Sequence, residues 1–363
     1  MNLKRALTFP PWMRGLSTAL AKRDLTLPSW MAGGLSSALA DPVGRLRERL
    51  GKKKAEGLAA LYATGDGVGL VHLASGAEGR MRVLVCAFQP LVKGQSPGRV
   101  AQGMVKAHKL EKARFVGVLD RGSYVLIPAE APDLPREEWA AAMKWRIKDQ
   151  LSFPVTQAVL EVFDMPGNAP DAESGRIYVA AARDGEVRRH VALFQEAGVN
   201  LIALDIPELA LLNLTIGLVD EREGMGLLHL ERKSGLVMMV KAGWFYLARR
   251  IENGLDTLMD SLEPDGSGVS DAPFLDRIAL ETQRTMDYFE SHYSQAAAST
   301  LYVVPLSTPV EGFRQALAER LGMRIKYLPL EEILEVPATV AQADLVRALP
   351  AIGAAMRVGA GEA

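Results

Sequence analysis

Residues 57–87, which read GLAALYATGDGVGLVHLASGAEGRMRVLVCA, decide the fold of this chain. Three short apolar runs are separated by two turns that are rich in glycine, and the runs lie at 57–64, 68–74 and 80–87. Apolar runs joined by glycine turns are typical of β-hairpins. The stretch therefore predicts a three-stranded meander. Its spaced glycines belong to a hairpin turn and not to a dinucleotide-binding loop, because the residues after them alternate as a strand.

A second meander repeats this layout at residues 226–250, which read GLLHLERKSGLVMMVKAGWFYLARR. Its predicted strands are 226–231, 236–241 and 244–250. Each meander is followed by alternating helical and strand patterns. Two meanders, each followed by helix and strand patterns, predict a duplicated α/β protein of two lobes. A length of 363 residues is also too great for one ordinary core.

The elements after each meander set the predicted domain boundaries. Helical patterns lie at 97–109, 136–151, 186–197, 207–216, 276–293, 311–321 and 342–357. Further strands are predicted at 115–119, 123–128, 158–165, 176–182, 200–205, 300–304 and 325–328. We divide the chain into an arm (1–55), a first lobe (56–131), an inserted subdomain (132–200), a second lobe with the closing helix (201–357) and a tail (358–363).

The composition is that of a folded protein without a global charge bias. Hydrophobic residues make up 48% and charged residues 23%, and a net charge of −1 gives no general attraction to nucleic acid. The one cysteine, Cys86, is interpreted as a buried strand residue. No segment has the ~20 uncharged apolar residues that cross a bilayer, and the first residues lack a signal peptide's apolar stretch. We therefore expect a cytoplasmic protein.

The arm differs from the rest of the chain in charge and in repetition. Residues 1–54 hold eleven Lys and Arg against three Asp and Glu, a balance of +8, which leaves −9 for the remainder. LTFPPWMRG at 7–15 is echoed by LTLPSWMAG at 25–33, and LSTALA at 16–21 by LSSALA at 35–40. Two such short units do not make a solenoid.

Two interpretations of this repeat are open. It is either a duplicated docking motif for a grooved partner or the membrane interface, or an extension whose tryptophans fold back onto the parent domain. We favour docking, because paired Trp-Met motifs in a basic tail are unusual without a use. The candidate partner-binding residues are Trp12, Met13, Leu16, Trp30, Met31 and Leu35.

Residues 145–155, WRIKDQLSFPV, resemble the inserted subdomain of the PilM-type pilus assembly proteins, in which a helix runs into a Phe-Pro turn and then a strand. The resemblance continues at 179–183, 197–205 and 280–290, and it covers most of residues 57–357 but not the arm. It is closest to the MshI-type mannose-sensitive pilus biogenesis proteins and extends more distantly to the FtsA cell-division proteins.

This resemblance implies a fold and a role. The fold is actin-like, that is, a duplicated ribonuclease H-like fold of two lobes with an inserted subdomain. The role is a cytoplasmic scaffold of a type IV pilus-like (MSHA-type) assembly machine, peripheral at the inner membrane. Its implied partners are a PilN-like membrane-anchored platform protein, which offers a short peptide to a groove on the lobes, and a pilus motor ATPase.

The same comparison indicates a degraded nucleotide site. Actin-like ATPases bind phosphates with glycine-rich hairpin turns and organise a metal with strand aspartates. Here Tyr62 stands where the first aspartate belongs, Leu230 where the second belongs, and the adenosine loop falls on 305–307 without a glycine pair. The remaining candidate nucleotide-binding residues are Thr64, Gly65, Gly67, Ser234 and Gly235.

We therefore expect no catalytic residues, no metal site and no cofactor, ATP included. The five histidines have no i, i+4 pair of the kind that binds zinc. One alternative is a divergent actin-like ATPase whose metal site is built from Asp66 and Glu231. Another is a self-assembling filament protein in which the arm docks on a neighbouring subunit.

Overall fold

The structure is a computed structural model, and it describes residues 57–165, 175–216, 218, 224–262, 273–293 and 298–357. The predicted arm and tail lie outside these residues, as do the six candidate partner-binding residues of the arm. Within the described part, no helix is both long enough and apolar enough to cross a membrane.

The first sheet is built on the predicted meander. Its strands β1 (Leu58–Ala63), β2 (Gly67–Ser75) and β3 (Met81–Pro90) are antiparallel neighbours. β4 (Arg114–Val118) and β8 (Asn200–Asp205) add in parallel beyond β1, and the two-residue β14 (Leu334–Glu335) pairs in parallel with β3. The strand order is β14-β3-β2-β1-β4-β8. β1 and most of β2 are buried, which explains their continuous apolar sequence.

The second lobe repeats this topology. Its meander is β9 (Gly224–Leu230), β10 (Gly235–Lys241) and β11 (Trp244–Ile251), followed by the parallel strands β12 (Thr300–Val303) and β13 (Arg324–Tyr327). The order β11-β10-β9-β12-β13 matches β3-β2-β1-β4-β8 of the first sheet. The duplication predicted from the two meanders is confirmed.

The inserted subdomain is a three-stranded antiparallel sheet with one short helix. β5 (Tyr124–Glu130), β6 (Ala158–Asp164) and β7 (Arg176–Arg183) lie in the order β5-β7-β6. Met143 of the helix Trp139–Arg146 and the following Ile147 are buried with β6 and β7. The predicted helix over 136–151 is thus shorter, and 3-10 turns flank it at Arg136–Glu138 and Lys148–Gln150.

The helices, in chain order, complete the two lobes and the inserted subdomain. They are α1 (Pro97–Ala107), α2 (Trp139–Arg146), α3 (Asp184–Ala197), α4 (Pro207–Asn213), α5 (Leu255–Asp260), α6 (Pro273–Tyr293), α7 (Phe313–Leu321), α8 (Leu330–Ile333), α9 (Gln342–Arg347) and α10 (Leu349–Ala355). α1 and α3 pack on each other beside the first sheet, and α6 packs on β10 and β11.

The predicted closing helix over 342–357 is wrong in one respect. It breaks at Ala348 into α9 and α10, because Pro350 sits in the first turn of α10, where it lacks an N–H to continue the preceding helix. α10 packs against β1, β2, β4 and α4. Gly353 allows this approach, since a Cβ there would lie 1.9 Å from the carbonyl oxygen of Ala210.

The predicted domain boundaries also need correction. β8, β14 and α10, assigned to the second lobe or its border, belong to the first lobe by strand pairing and packing. β5, assigned to the first lobe, pairs with β7 of the inserted subdomain. Strand pairing over long sequence distances decides these memberships, and local patterns do not carry that information. The buried core is continuous between the lobes, with Tyr62, Leu227, Met238, Val304 and Ile352 in one cluster.

Candidate functional site in the cleft between the lobes

Two equivalent hairpin turns meet where the lobes face each other. In the first, the Thr64 N–H donates to the Gly67 carbonyl at 2.9 Å, and in the second the Glu231 N–H donates to the Ser234 carbonyl at 2.8 Å. The two four-residue turns correspond residue by residue. Tyr62 and His229, each two residues before its turn, therefore occupy equivalent positions.

A buried arginine joins these two positions. Arg121 follows β4, and its side chain is 3% exposed. Its Nη2 lies 2.7 Å from Nδ1 of His229, and its Nη1 lies 3.4 Å from Oε2 of Glu231. The Tyr62 hydroxyl donates to the other oxygen of Glu231, Oε1, at 2.8 Å. Side chains from both lobes thus form one network, which we call the cleft network (Tyr62, Arg121, His229, Glu231).

The charge states in this network follow from burial and from the arginine. Burial opposes ionisation of Glu231, but the Arg121 guanidinium, His229 and the hydrogen bonds from Tyr62 and Ser234 together outweigh it and lower the pKa of that carboxyl below its usual value. Burial, and then Arg121, lowers the pKa of His229 to about 4. At neutral pH the network therefore holds one cation, one anion and a neutral imidazole that accepts from the arginine.

A second, more exposed set of charges bridges the turn tips. The Asp66 carboxylate lies 3.8 Å from Arg232 and 3.9 Å from Lys233 of the other turn. Arg232 also makes two hydrogen bonds of 3.0 Å to the Asp256 carboxylate at the start of α5. The equivalent turns of the two lobes thus carry opposite charges at their tips.

The candidate nucleotide residues of the turns have local structural roles. A Cβ on Gly67 would lie 2.3 Å from the Phe88 ring, and one on Gly235 would lie 2.7 Å from the Leu230 side chain. The Thr64 hydroxyl accepts from the Asp66 N–H at 3.2 Å, and the Ser234 hydroxyl donates to Glu231 at 3.3 Å. Around Gly65 a Cβ would meet no atom within 4 Å. Packing and turn geometry account for four of these five residues.

These residues do not fit a metal-bound nucleotide of the actin-like ATPase type. The structural equivalence places His229, one residue before the predicted Leu230, at the metal-organising position of the second hairpin. Tyr62 and His229 thus replace the two strand aspartates, and an arginine already neutralises Glu231. The N–H groups of Thr64, Asp66 and Glu231 are bonded within their turns. Among the described residues, no group of three or more His, Cys, Asp or Glu side chains has metal-site geometry.

Arg121 is the central residue that the sequence analysis missed. One signal pointed to it: it follows the carboxyl end of β4, next to β1 in a parallel pair, and such ends converge on one edge of a sheet. The sequence analysis also missed a buried pair near Arg121, in which the Glu208 carboxylate accepts a hydrogen bond from the Tyr124 hydroxyl. Burial raises the pKa of Glu208.

A groove opens beside the first hairpin turn. We call it the hairpin groove; its volume is about 430 Å³, and it lies between the turn, the start of α1 and one face of α3. Ala192, Leu193 and Leu91 supply apolar walls, and Glu196 and Arg189 supply charge. The Glu196 carboxylate accepts from the Ser96 hydroxyl at 2.5 Å, which ties α3 to the start of α1.

No protein-family model matches the sequence, and the search of curated proteins found no match. Among solved structures, the chain is similar to the PilM-PilN type IV pilus biogenesis complex, with 20% identity, coverage of 84% of this chain and 99% of the other, and a TM-score of 0.69.

Two further likenesses have TM-scores of 0.44. One is to a Bacteroides thetaiotaomicron protein with an actin-like ATPase fold (8% identity, covering 82% of this chain and 96% of the other). The other is to the cytoplasmic domain of EpsL, an inner membrane component of the type II secretion system of Vibrio cholerae (10% identity, covering 80% and 93%). The chain has the two-lobed actin-like α/β fold predicted from its sequence.

Proposed function

We propose that this protein is a cytoplasmic scaffold of a type IV pilus-like, MSHA-type assembly machine, and that it does not hydrolyse ATP. In this role it links a PilN-like, membrane-anchored platform protein to a pilus motor ATPase at the inner membrane. The observation that carries the proposal is the cleft network, which joins the two lobes through protein side chains where an actin-like ATPase joins them through nucleotide and metal.

Two observations support the assembly role. The sequence of residues 145–155 resembles the inserted subdomain of PilM-type proteins. The whole described fold is similar to a structure of a PilM-PilN complex, with a TM-score of 0.69. MshI-type identity rests on the sequence resemblance alone, and the MSHA-type system is part of the proposal on the same ground.

The chemistry of the cleft supports a scaffold without turnover. A triphosphate at the turns would meet the Asp66 carboxylate, and it would compete with Glu231 for Arg121. A triphosphate that displaced Glu231 from Arg121 would leave this carboxylate without its ion partner. The same network supports a fixed arrangement of the lobes, which suits a protein whose task is to hold partners at set positions.

We place the peptide of the PilN-like partner in the hairpin groove. The groove has apolar walls for one or two side chains, and charged side chains at Arg189 and Glu196 for polar contacts at its rim. Since α1 and α3 pack on each other beside the first sheet, a peptide bound there contacts the first lobe. The Trp-Met repeat of the arm offers a site for a further component or for the membrane surface.

Titration calorimetry of the full chain with ATP and magnesium tests the first part of the proposal. We expect no heat of binding at millimolar nucleotide. Micromolar binding, or magnesium-dependent phosphate release that is lost in Asp66→Asn or Glu231→Gln, would instead establish the ATPase alternative.

A labelled peptide from the cytoplasmic segment of a PilN-like protein tests the second part by fluorescence polarisation. Ala192→Arg places a long charged side chain in the hairpin groove, from an exposed position on α3. We expect it to weaken binding about tenfold or more. Gln195→Arg adds the same charge at an exposed position of the same helix, and it should bind as the parent chain does. Equal affinity in both variants would exclude the hairpin groove.

A further inference from the structure

A second groove lies between the edge of the first sheet and the second lobe. We call it the edge groove; its volume is about 640 Å³. Its lining is mainly apolar and comes from the loops after β12 and β13, from β14 and from α9, with the side chains Pro305, Leu328, Leu330, Leu334, Leu345 and Val346. Val336, which is 36% exposed, and Pro337 stand at its mouth.

The arm leaves the fold at the same end of the first sheet. Leu58, at the start of β1, is paired with Leu73 of β2. Near this end of β2, Ser75 is paired with Met81 of β3, and Met81 with Leu334 of β14. Three strand spacings of about 4.8 Å therefore separate the arm's exit from β14, roughly 15 Å in all.

The length of the arm makes this distance easy to span. Five extended residues cover about 15 Å, and 25 residues lie between Met31 and Gly57. Both copies of the repeat can therefore reach the groove of their own chain. A tethered segment has an effective concentration on the order of a millimolar, so a motif with a dissociation constant of about 100 µM would be bound most of the time.

The chemistry of the repeat matches the groove. Each copy presents proline, tryptophan and methionine in succession, and the groove offers leucine, valine and proline surfaces. The charged side chains of the lining balance each other, with Glu331 and Glu335 against Arg80 and Arg82, and Glu335 pairs with both arginines. The match between the repeat and the groove is therefore one of apolar contact. We propose that one copy of the Trp-Met repeat of the arm binds in the edge groove of its own chain.

This contact does not depend on the proposed pilus function. Only one such groove is available per chain in this proposal, so one copy of the repeat is seated and the other stays available for a partner. Because the groove lining comes from both lobes, an arm bound there would also bridge them.

Cysteine pairing in the full chain tests this placement. In a Cys86→Ala background, Ser29→Cys or the equivalent Pro11→Cys is combined with Val336→Cys at the groove mouth. The matched control combines Ser29→Cys with Leu280→Cys, because Leu280 is 50% exposed on α6 and does not line the groove. Mild oxidation is followed by non-reducing electrophoresis and by mass analysis of the linked peptides.

We expect an intramolecular disulfide to Val336→Cys at least about fivefold more abundant than in the control, as tethering into a fixed site predicts. Adding Trp12→Ala and Trp30→Ala should reduce it to the control level. A disulfide-linked dimer would overturn the proposal in favour of a second copy as the occupant. The edge groove would be excluded as the arm's site if neither Ser29→Cys nor Pro11→Cys gave more intramolecular disulfide than the control. It would also be excluded if Trp12→Ala and Trp30→Ala left the disulfide yield unchanged.

Discussion

The two hairpin turns occupy equivalent positions in their lobes but differ in every side chain. The first reads Thr64-Gly65-Asp66-Gly67 and the second Glu231-Arg232-Lys233-Ser234, with the same closing hydrogen bond. In an actin-like ATPase both turns present the same chemistry to a phosphate between them. Here one is acidic and the other basic at its tip. The two turns are thus complementary halves of a direct contact between the lobes.

The largest expected effect comes from removing the cation that both halves share. Arg121→Met leaves Glu231 without its buried ion partner, and we expect a loss of about 3–5 kcal/mol in the free energy of unfolding. Urea denaturation measures it. Arg99→Met, at a side chain that is 83% exposed, is the matched control and should change little. A loss below about 1 kcal/mol for Arg121→Met would mean that the cleft network does not hold the lobes together.

The second expected effect is a pH dependence of stability that comes from His229 and has no counterpart at Tyr62, the equivalent residue before the first turn. The folded pKa of His229 is about 4, because burial and then Arg121 disfavour its charged form, whereas an unfolded histidine titrates near 6.5. Between these two pKa values, His229 is protonated in the unfolded chain and neutral in the folded chain. The free energy of unfolding therefore contains the full contribution of neutral His229 above pH 6.5. It loses about 3 kcal/mol of that contribution as the pH falls from 6.5 to 4.

His229→Gln keeps an acceptor for Arg121 and removes the titration. We expect the variant to lose about 3 kcal/mol less than the parent chain between pH 7 and pH 4, as measured by urea unfolding at both values. His108→Gln, at an exposed position, should retain the parental slope. If the free energy of unfolding changed equally with pH in the parent chain and in His229→Gln, His229 would not be a buried, neutral partner of Arg121.

The third expected effect concerns the glycines of the first turn. A methyl group on Gly67 would meet the Phe88 ring and the Gln89 carbonyl, so Gly67→Ala should cost about 1–3 kcal/mol. Gly65 faces open space, and Gly65→Ala should change stability by less than about 1 kcal/mol, in the stabilising direction. Thermal melts distinguish the two. The reverse order would indicate that Gly65 is the constrained residue of the turn.

The smallest expected effect is at the exposed tips. Lys233→Asp places two carboxylates opposite each other and should cost about 0.2–1 kcal/mol at low salt. Adding Asp66→Lys restores opposite charges with their positions exchanged, and most of the loss should be recovered. Half a molar salt should abolish both differences, since the lysine is 75% exposed. If the double variant were no more stable than Lys233→Asp alone, the charges at the turn tips would not interact.

Much of the fold was accessible to sequence reasoning because its signals are local. Alternating apolar runs and glycine turns located both meanders within a few residues, and the Phe-Pro turn at 153–154 located the inserted subdomain. β14, with two residues, and α8, with four, are too short to show a period. Membership of β8 and α10 in the first lobe depends on pairing between distant segments, which local patterns do not encode.

The candidate site divides in the same way. Tyr62 was identified as a replacement by comparison with a known pattern, and the structure gives that residue a partner in Glu231. The only signal for Arg121 was its place after a strand, and a single arginine in such a place is common on protein surfaces. Its burial arises only when β4 is placed between β1 and β8 and the second lobe closes over it.

The position of β14 has a consequence for synthesis of the protein. β3 ends at Pro90, and its parallel neighbour begins at Leu334, so 243 residues lie between these partners. At about 5–20 residues per second, a ribosome needs roughly 12–50 s to deliver the strand that closes this edge. Throughout that interval the first sheet lacks both β14 and the covering helix α10. The growing chain therefore exposes an apolar sheet face and an open strand edge for longer than most of its own elements need to fold.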